Sequence, residues 1–450
     1  MNRRGQRLKD ALRTQLWPVP ALAVVLAVVL GAVLPPLDAA LDGHMPAALA
    51  AWLFGGGPEA ARSVLQAVSG SLITVTSLTF SLTVVTLQLA SSQFSPRLLR
   101  TFSRDRVVHL TLALFLATFA YALTVLRSIR TGEDDGGAFV PEIAVTVAFV
   151  LAVASVMGLV VFLAHLAREL RVETMMHRVH AEAVETADVV FPPDAPGQPE
   201  LLEPPELPGP PAATAVVEAE ASGFLTAVDE AALLEAARSA GAVVRIDREP
   251  GTSLIRGVPF ASVWGLEPGG PPEGEVLARL GKEINAAVTV GYERTSVQDV
   301  GFGFRQLADV ASRALSPGIN DPTTAAHALG HLSSLLCRLV ERAPGPRAVT
   351  DPEGRVRVIL ALPQLAGLLD LALCQPRLYG SKDPVVMARM LQLLCEVSWL
   401  DHVGRYRPVL SAQLAQLRQA MDAADYSDAD RRSLEQLACE TAARPRDSAQ

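Results

Sequence analysis

Within the first 165 residues, four apolar stretches are each long enough to cross a bilayer: 18–36 (PVPALAVVLAVVLGAVLPP), 64–90, 107–126 and 143–165. A helix of about 20 apolar residues matches the hydrocarbon core, so four membrane-spanning helices are expected. The first stretch does not read as a simple cleavable signal peptide. It has no obvious small-x-small cleavage site ahead of a soluble mature domain, and three more spans follow it. Composition agrees, since half the residues are hydrophobic and only 19% are charged.

Basic residues set the expected orientation. Arg3, Arg4, Arg7, Lys9 and Arg13 precede the first span, Arg97, Arg100, Arg104 and Arg106 follow the second, and Arg168, Arg171 and Arg178 follow the fourth. The two alternate loops carry Asp38, Asp42 and Glu59, and Glu133, Asp134 and Asp135. Positive charge is retained on the cytosolic side, so both termini are expected there. The loop at 97–106 would then meet anionic headgroups or a permeating anion.

The division of the chain follows: a basic N-terminus (1–17), a four-span region with a helix continuing out of the membrane (18–190), a linker (191–211), a small α/β module (212–268) and a helical domain (269–445). Nine of the 21 linker residues are proline, which excludes helix or sheet interior and predicts an extended spacer. The module alternates strand-like TAVVEAEA and AVVRID with helical DEAALLEAARSA. The last domain repeats apolar residues at three- and four-residue spacing. The fold class read from this is mainly α: a four-helix transmembrane region, a small α/β module and a cytosolic α-helical domain.

The second span is uncharged from Ser63 to Pro96 but rich in hydroxyls. At about 100° per residue, Ser69, Thr76, Thr79, Thr83 and Thr86 fall on one face, and Thr74, Ser77, Ser81 and Gln88 on nearly the opposite one. A helix polar on two sides belongs inside a bundle. Ser and Thr there either permit close packing and bond their own carbonyls, or one stripe (Ser69, Thr76, Thr79, Thr83, Thr86) lines a hydrated path. The middle of every span lacks ionisable residues, which counts against a proton-coupled pump or symporter and leaves a hydroxyl- or carbonyl-lined channel. Four spans enclose little by themselves, so a path would lie on the axis of a homo-oligomer.

In the water-soluble part, RALSPGINDPTTAAHAL (313–329) stops one helix and starts another. Pro317 and Gly318 end the first, Asn320 suits a left-handed or Asx turn, Asp321 is placed to cap the second, and Pro322 and Thr323 open it. Upstream, Arg305, Asp309 and Arg313 share a helix face, with Glu293, Arg294 and Asp299 before them. They form a solvated charged face, or converge with Ser316, Asn320, Asp321 and Thr323 into a polar pocket or subunit contact.

Chemistry-bearing patterns are sparse. His327 and His331 lack the glutamate and third ligand of a zinc-protease helix, and His177 and His180 fare no better. The four cysteines are widely spaced, and GxSxG, P-loop and GxGxxG motifs are missing. No metal, cofactor or catalytic residue is therefore expected. A net charge of −8 argues against nucleic acid as a partner.

The hydroxyl-rich span running into LQLASSQFSPRLLRTF, together with ERTSVQDVGFGFRQLADVASRALSPGINDPTTA, resembles the bacterial predicted-membrane-protein family DUF2254. The resemblance covers about residues 15–440 and points to Arg294, Asp299, Phe302, Gly303, Asp309, Ala314, Leu315, Ser316, Pro317, Asn320, Asp321 and Pro322. It implies a multi-pass inner-membrane protein and brings no activity with it. The expectation is a non-enzymatic, channel-like or transport-related homo-oligomer in the lipid bilayer, assembled or gated through the cytosolic domain by an ion or small ligand. The alternative is a membrane-anchored scaffold or sensor without conduction.

Overall fold

A computed structural model of the chain describes residues 17–41, 53–93, 105–131, 138–169, 171–192, 209, 211–266 and 270–443. The basic N-terminus, Arg97, Arg100, Arg104, the acidic 133–135 segment and most of the proline-rich linker lie outside the described residues. Two compact units divide the chain, residues 1–174 and 175–450.

The first unit holds four helices long and apolar enough to cross a membrane: α1 (Pro18–Leu41), α2 (Pro58–Gln93), α3 (Arg106–Leu126) and α4 (Glu142–Glu169). Between α3 and α4, two short antiparallel strands of two residues each pair, β1 (Arg130–Thr131) with β2 (Ala138–Phe139). Helix α3 is central and packs on the other three. Its Phe115, Tyr121, Ala122 and Val125 meet Leu65, Leu72, Ala144 and Ala148 in the core. Gly31 lets α1 approach α3 closely, for a Cβ there would fall 2.9 Å from the Thr124 Cβ.

Polar contacts pin this bundle. Asp38, assigned above to a loop, is a buried cap: its Oδ2 accepts from the N–H groups of Ile143 (2.8 Å) and Ala144 (3.3 Å) at the start of α4. The Tyr121 hydroxyl donates to the Ala144 carbonyl (3.0 Å), and Thr118 and Ser155 meet between α3 and α4 (3.3 Å). The outer surface is the reverse of a soluble protein. Leu22, Val25, Leu26 and Val29 on α1, and Phe149, Val153, Val156 and Val160 on α4, are all about half exposed or more. Apolar area on this scale favours a lipid surround, at about 25 cal/mol per Å² removed from water.

A new helix, α5 (Val172–Val190), begins just after α4, and from Met175 it belongs to the second unit. The membrane unit therefore ends at 174 instead of continuing as one helix to 190. The second unit then runs β3 (Ala215–Glu218), β4 (Gly223–Val228), α6 (Glu230–Ser239), β5 (Ala242–Ile246), β6 (Ser253–Leu254), β7 (Pro259–Gly265), α7 (Gly274–Ala287) and β8 (Val288–Gly291). After these come α8 (Val300–Ala314), α9 (Pro322–Val340), β9 (Arg347–Thr350), β10 (Val356–Leu360), α10 (Leu365–Gly380), α11 (Pro384–Leu400), α12 (Arg407–Asp422) and α13 (Asp428–Ala443).

The strands form a five-stranded sheet ordered β3-β7-β5-β10-β9 and a three-stranded sheet ordered β6-β4-β8. Among the strands of the described residues, β5–β10 is the one parallel pairing and the others are antiparallel, with an isolated parallel bridge between Ala219 and Arg256. The sequence division at 268 is thus not a structural boundary. The hairpin β9–β10, from the region read as helical, completes the sheet, and β8 pairs with β4. Buried Asp351 closes that hairpin, bonded to Arg355 (3.1 Å), Arg357 (2.8 Å) and backbone N–H groups. Burial works against its charge, but Arg357 and Arg355 prevail and hold the carboxyl well below the usual range.

Helices α8–α13 pack as a bundle, α8 on α9 and α10, and α11 on α9, α12 and α13. Phe304, Leu307, Leu336, Leu369, Met390 and Leu394 are fully buried in this unit.

Candidate functional site

Three places hold the residues singled out in the sequence. The first is α2. Ser69, Thr79, Thr83 and Thr86 are buried and Thr76 half-buried, so this stripe faces the bundle. Most of its hydroxyls turn back on their own helix, Thr76 to the Leu72 carbonyl (2.7 Å), Thr83 to Thr79 (2.8 Å) and Thr86 to Leu82 (2.8 Å). The buried Thr79 hydroxyl has no partner among the described residues. Thr74, Ser77, Ser81 and Gln88 are exposed on the single chain, on the side opposite its packed face.

The second place is the segment leading into α8. Asp299 is 3% exposed, and Arg294 grips it with two bonds, Nε to Oδ2 (2.8 Å) and Nη2 to Oδ1 (2.9 Å). The Arg294 guanidinium also lies 5.6 Å from the centre of the Phe302 ring. Burial pushes the Asp299 carboxyl above its usual range, and the Arg294 pair pulls back against that. Neighbouring Glu249 is pushed up too, by burial first and then by the Asp299 charge. Gln298 bonds both backbone groups of Val228, its Oε1 accepting from the N–H (2.7 Å) and its amide donating to the carbonyl (3.1 Å). Ser296 receives Thr186 at its carbonyl (2.6 Å) and donates its hydroxyl to Glu182. The motif thus ties β4, α5 and α8 together.

Beside it lies a pocket that opens to solvent. Apolar Val228, Ile246 and Leu360 line it together with Gln298, Glu230, Arg248 and Arg347. Arg347 spends one nitrogen on the Val190 carbonyl (3.1 Å) and another on Glu230, while its buried Nε has no partner among the described residues. Apolar walls therefore meet two guanidinium groups and the Glu230 carboxylate that pairs with one of them.

The third place is the corner after α8. Asn320 adopts φ 50°, and Asp321 caps α9 through Thr324, N–H to Oδ1 (3.0 Å) and hydroxyl to Oδ2 (2.6 Å). That bonding, with lesser help from His327, lowers the Asp321 carboxyl. Asn320 and Thr323 are exposed, and Ser316, Arg305 and Asp309 half-buried. Arg294 and Asp299 sit at one end of α8 and the corner at the other, about 22 Å apart along 15 residues. The two halves of the motif are therefore separate places and make no single pocket.

Two features escaped the sequence reading. Gly303 packs on α5, where a Cβ would fall 2.4 Å from the Ala183 Cβ, so the glycine of GFGF is a helix-crossing residue. The two histidine pairs also meet: His180 on α5 and His331 on α9 have ring centres 5.0 Å apart. Burial lowers both imidazoles, and His177, His327 and Arg338 add positive charge around them. Nothing in the spacing of either pair announces the other, since α5 and α9 are 150 residues apart where Arg338 grips Asp188 (2.8 Å).

Four spans, an apolar exterior and a mixed C-terminal unit define a multi-span membrane protein. The chain belongs to the family described as "Predicted membrane protein (DUF2254)", whose model matches residues 13–396. It is 36% identical over 402 residues to uncharacterized protein Rv1290c of Mycobacterium tuberculosis and, equally, to uncharacterized protein Mb1321c of Mycobacterium bovis. Each alignment covers 88% of this chain and 74% of the relative. No solved structure matches the chain.

Proposed function

We propose that the protein is a channel-like homo-oligomer of the bacterial inner membrane, both termini cytosolic, with α2 from each copy around a shared axis. The observation that carries this is the polarity of α2 on its unpacked side. Thr74, Ser77, Ser81 and Gln88 make one stripe on the outside of the single chain, interleaved with exposed Leu78 and Val85; Thr74 bonds back to the Gly70 carbonyl (3.2 Å), while hydrocarbon offers the polar Gln88 side chain and the serine hydroxyls no partner of its own. Copies of the same helix, with water between them, satisfy that stripe. The inner stripe of Ser69, Thr76, Thr79, Thr83 and Thr86 then packs the bundle, and the outer one lines the path.

The C-terminal unit is the regulatory part in this reading. Its pocket presents Arg248 to a small anion, and α5, which follows α4 in the chain, supplies Val189 and Val190 to the pocket wall. Ion flux into liposomes tests the reading, with wild type beside a Ser77→Val, Ser81→Val double variant and a Thr79→Val, Thr83→Val double variant. Flux that falls or changes selectivity in the first and persists in the second supports it. A folded wild-type protein that passes no ion under varied pH, voltage and osmotic stress defeats conduction and favours the membrane-anchored scaffold or sensor.

A further inference from the structure

We propose that Asp105, His165 and Glu169 form a binding site for a first-row divalent metal ion, such as Zn²⁺ or Mn²⁺, where α3 begins and α4 ends. Asp105 is the residue that caps α3, and His165 and Glu169 stand one turn apart at the end of α4. One ligand atom from each lies within 4.8 Å of the others. The His165 Nε2 is 2.5 Å from the Asp105 Oδ2 and 4.0 Å from the Glu169 Oε1. A metal with bonds near 2.0–2.2 Å (about the range for Zn²⁺) holds ligand atoms roughly 3 Å apart, so small side-chain adjustments close the set around an ion.

The set is largely removed from water. Both carboxylates are 9% exposed, the imidazole 18%. A cation held by two carboxylates and an imidazole is a partly buried charge met by ligands, the arrangement in which a buried ion is tolerated. Asp105 is also oriented as a ligand should be. Its Oδ1 accepts the Val107 N–H (2.9 Å), which fixes the carboxylate and leaves Oδ2 turned to the site.

His109, one turn into α3 from Asp105 and on the same helix face, is 8% exposed, and its buried Nε2 has no partner among the described residues. It is not among the three residues whose ligand atoms lie within 4.8 Å of one another, and the proposed set does not depend on it. Imidazole with carboxylate selects zinc, manganese or iron over magnesium or calcium, which prefer all-oxygen sites. Asp105 lies 60 residues from His165 in the chain and on a different span, so no local spacing marks the set.

The inference is independent of conduction. Full-length protein in lipid nanodiscs, stripped with chelator, is titrated with ZnCl₂ and with MnCl₂; bound metal is counted by elemental analysis and the melting temperature recorded. Cobalt(II) then reports the donor set through its visible absorption. The expected result is about one ion per chain with a raised melting temperature. Glu169→Gln and His165→Gln, each close in size, weaken binding about ten-fold or more and alter the cobalt spectrum. A His177→Gln, His327→Gln variant, in the C-terminal unit, keeps the metal. Failure of the wild type to hold any of these ions overturns the proposal, and so does full retention by Glu169→Gln, the variant read alone if His165→Gln does not fold.

Discussion

The Cα of Gly251 presses on the Asp299 carboxylate so closely that an added Cβ would lie 2.0 Å from its Oδ2. The same glycine holds φ +91°, a conformation that side chains disfavour. Backbone strain and a clash with a buried charge therefore act together. Gly251→Ala is expected to destabilise the C-terminal unit by more than about 2 kcal/mol, read as a lowered melting temperature of the full-length protein.

Arg294 is what makes the buried Asp299 tolerable. Arg294→Met leaves that carboxylate beside Glu249 without its two guanidinium bonds, at an expected cost of about 3 kcal/mol near neutral pH. The Asp299 carboxyl is already raised, and losing Arg294 raises it further. A raised carboxyl binds its proton more readily folded than unfolded, so folding gains stability as pH falls. The deficit of Arg294→Met should narrow between about pH 7 and pH 5, and Arg294→Met, Asp299→Asn should recover much of it. A deficit that is flat with pH would show that Asp299 is not the group left exposed to the loss.

His180 and His331 give pH dependence of their own. Burial lowers both below the ordinary 6.5, with His177, His327 and Arg338 adding to the positive surroundings. For an imidazole depressed in the folded state, the unfolded chain takes up protons first. Stability is complete above about 6.5 and falls as pH drops through the lower folded values. His331→Phe should flatten that acid-side loss in thermal melts across pH; an unchanged slope would assign the loss to other groups.

Most of this architecture is legible in the chain. The four spans need only length and hydropathy, and Asp321 needs only the Asn-Asp-Pro order to be read as a cap. The stripes of α2 follow from helical angle, although which one packs depends on the neighbouring helices. What was hidden is non-local. β9 and β10 are four and five residues long and flanked by helices, so nothing local marks them as the completion of a sheet whose other strands end at Gly265. The separation of Asp299 from Asn320 likewise turns on α8 being one straight helix between them.

Close approach of α5 and α8 depends on Gly303 and Ala183. Gly303→Ala places a methyl group 2.4 Å from the Ala183 Cβ and should cost about 1–3 kcal/mol through overpacking. Trading the methyl back with Ala183→Gly in the same chain should restore part of the loss, because the pair share one contact. A Gly303→Ala melting temperature equal to that of wild type would mean that the helices part without penalty.

At the corner, two neighbouring substitutions should behave oppositely. Asp321→Ala removes the bonds to the Thr324 N–H and hydroxyl and should cost about 1 kcal/mol, the ordinary worth of a helix cap. Asn320 sits at φ 50°, which glycine adopts freely, so Asn320→Gly should leave stability within about 0.5 kcal/mol of wild type. The Asn320 side chain is exposed, so its removal tests the surface separately from the fold. Unchanged oligomer size in Asn320→Gly, by mass photometry in nanodiscs, fits a corner built for turning the chain. A folded Asn320→Gly protein of altered size makes the corner a contact between copies and moves part of the assembly from α2 to the C-terminal unit.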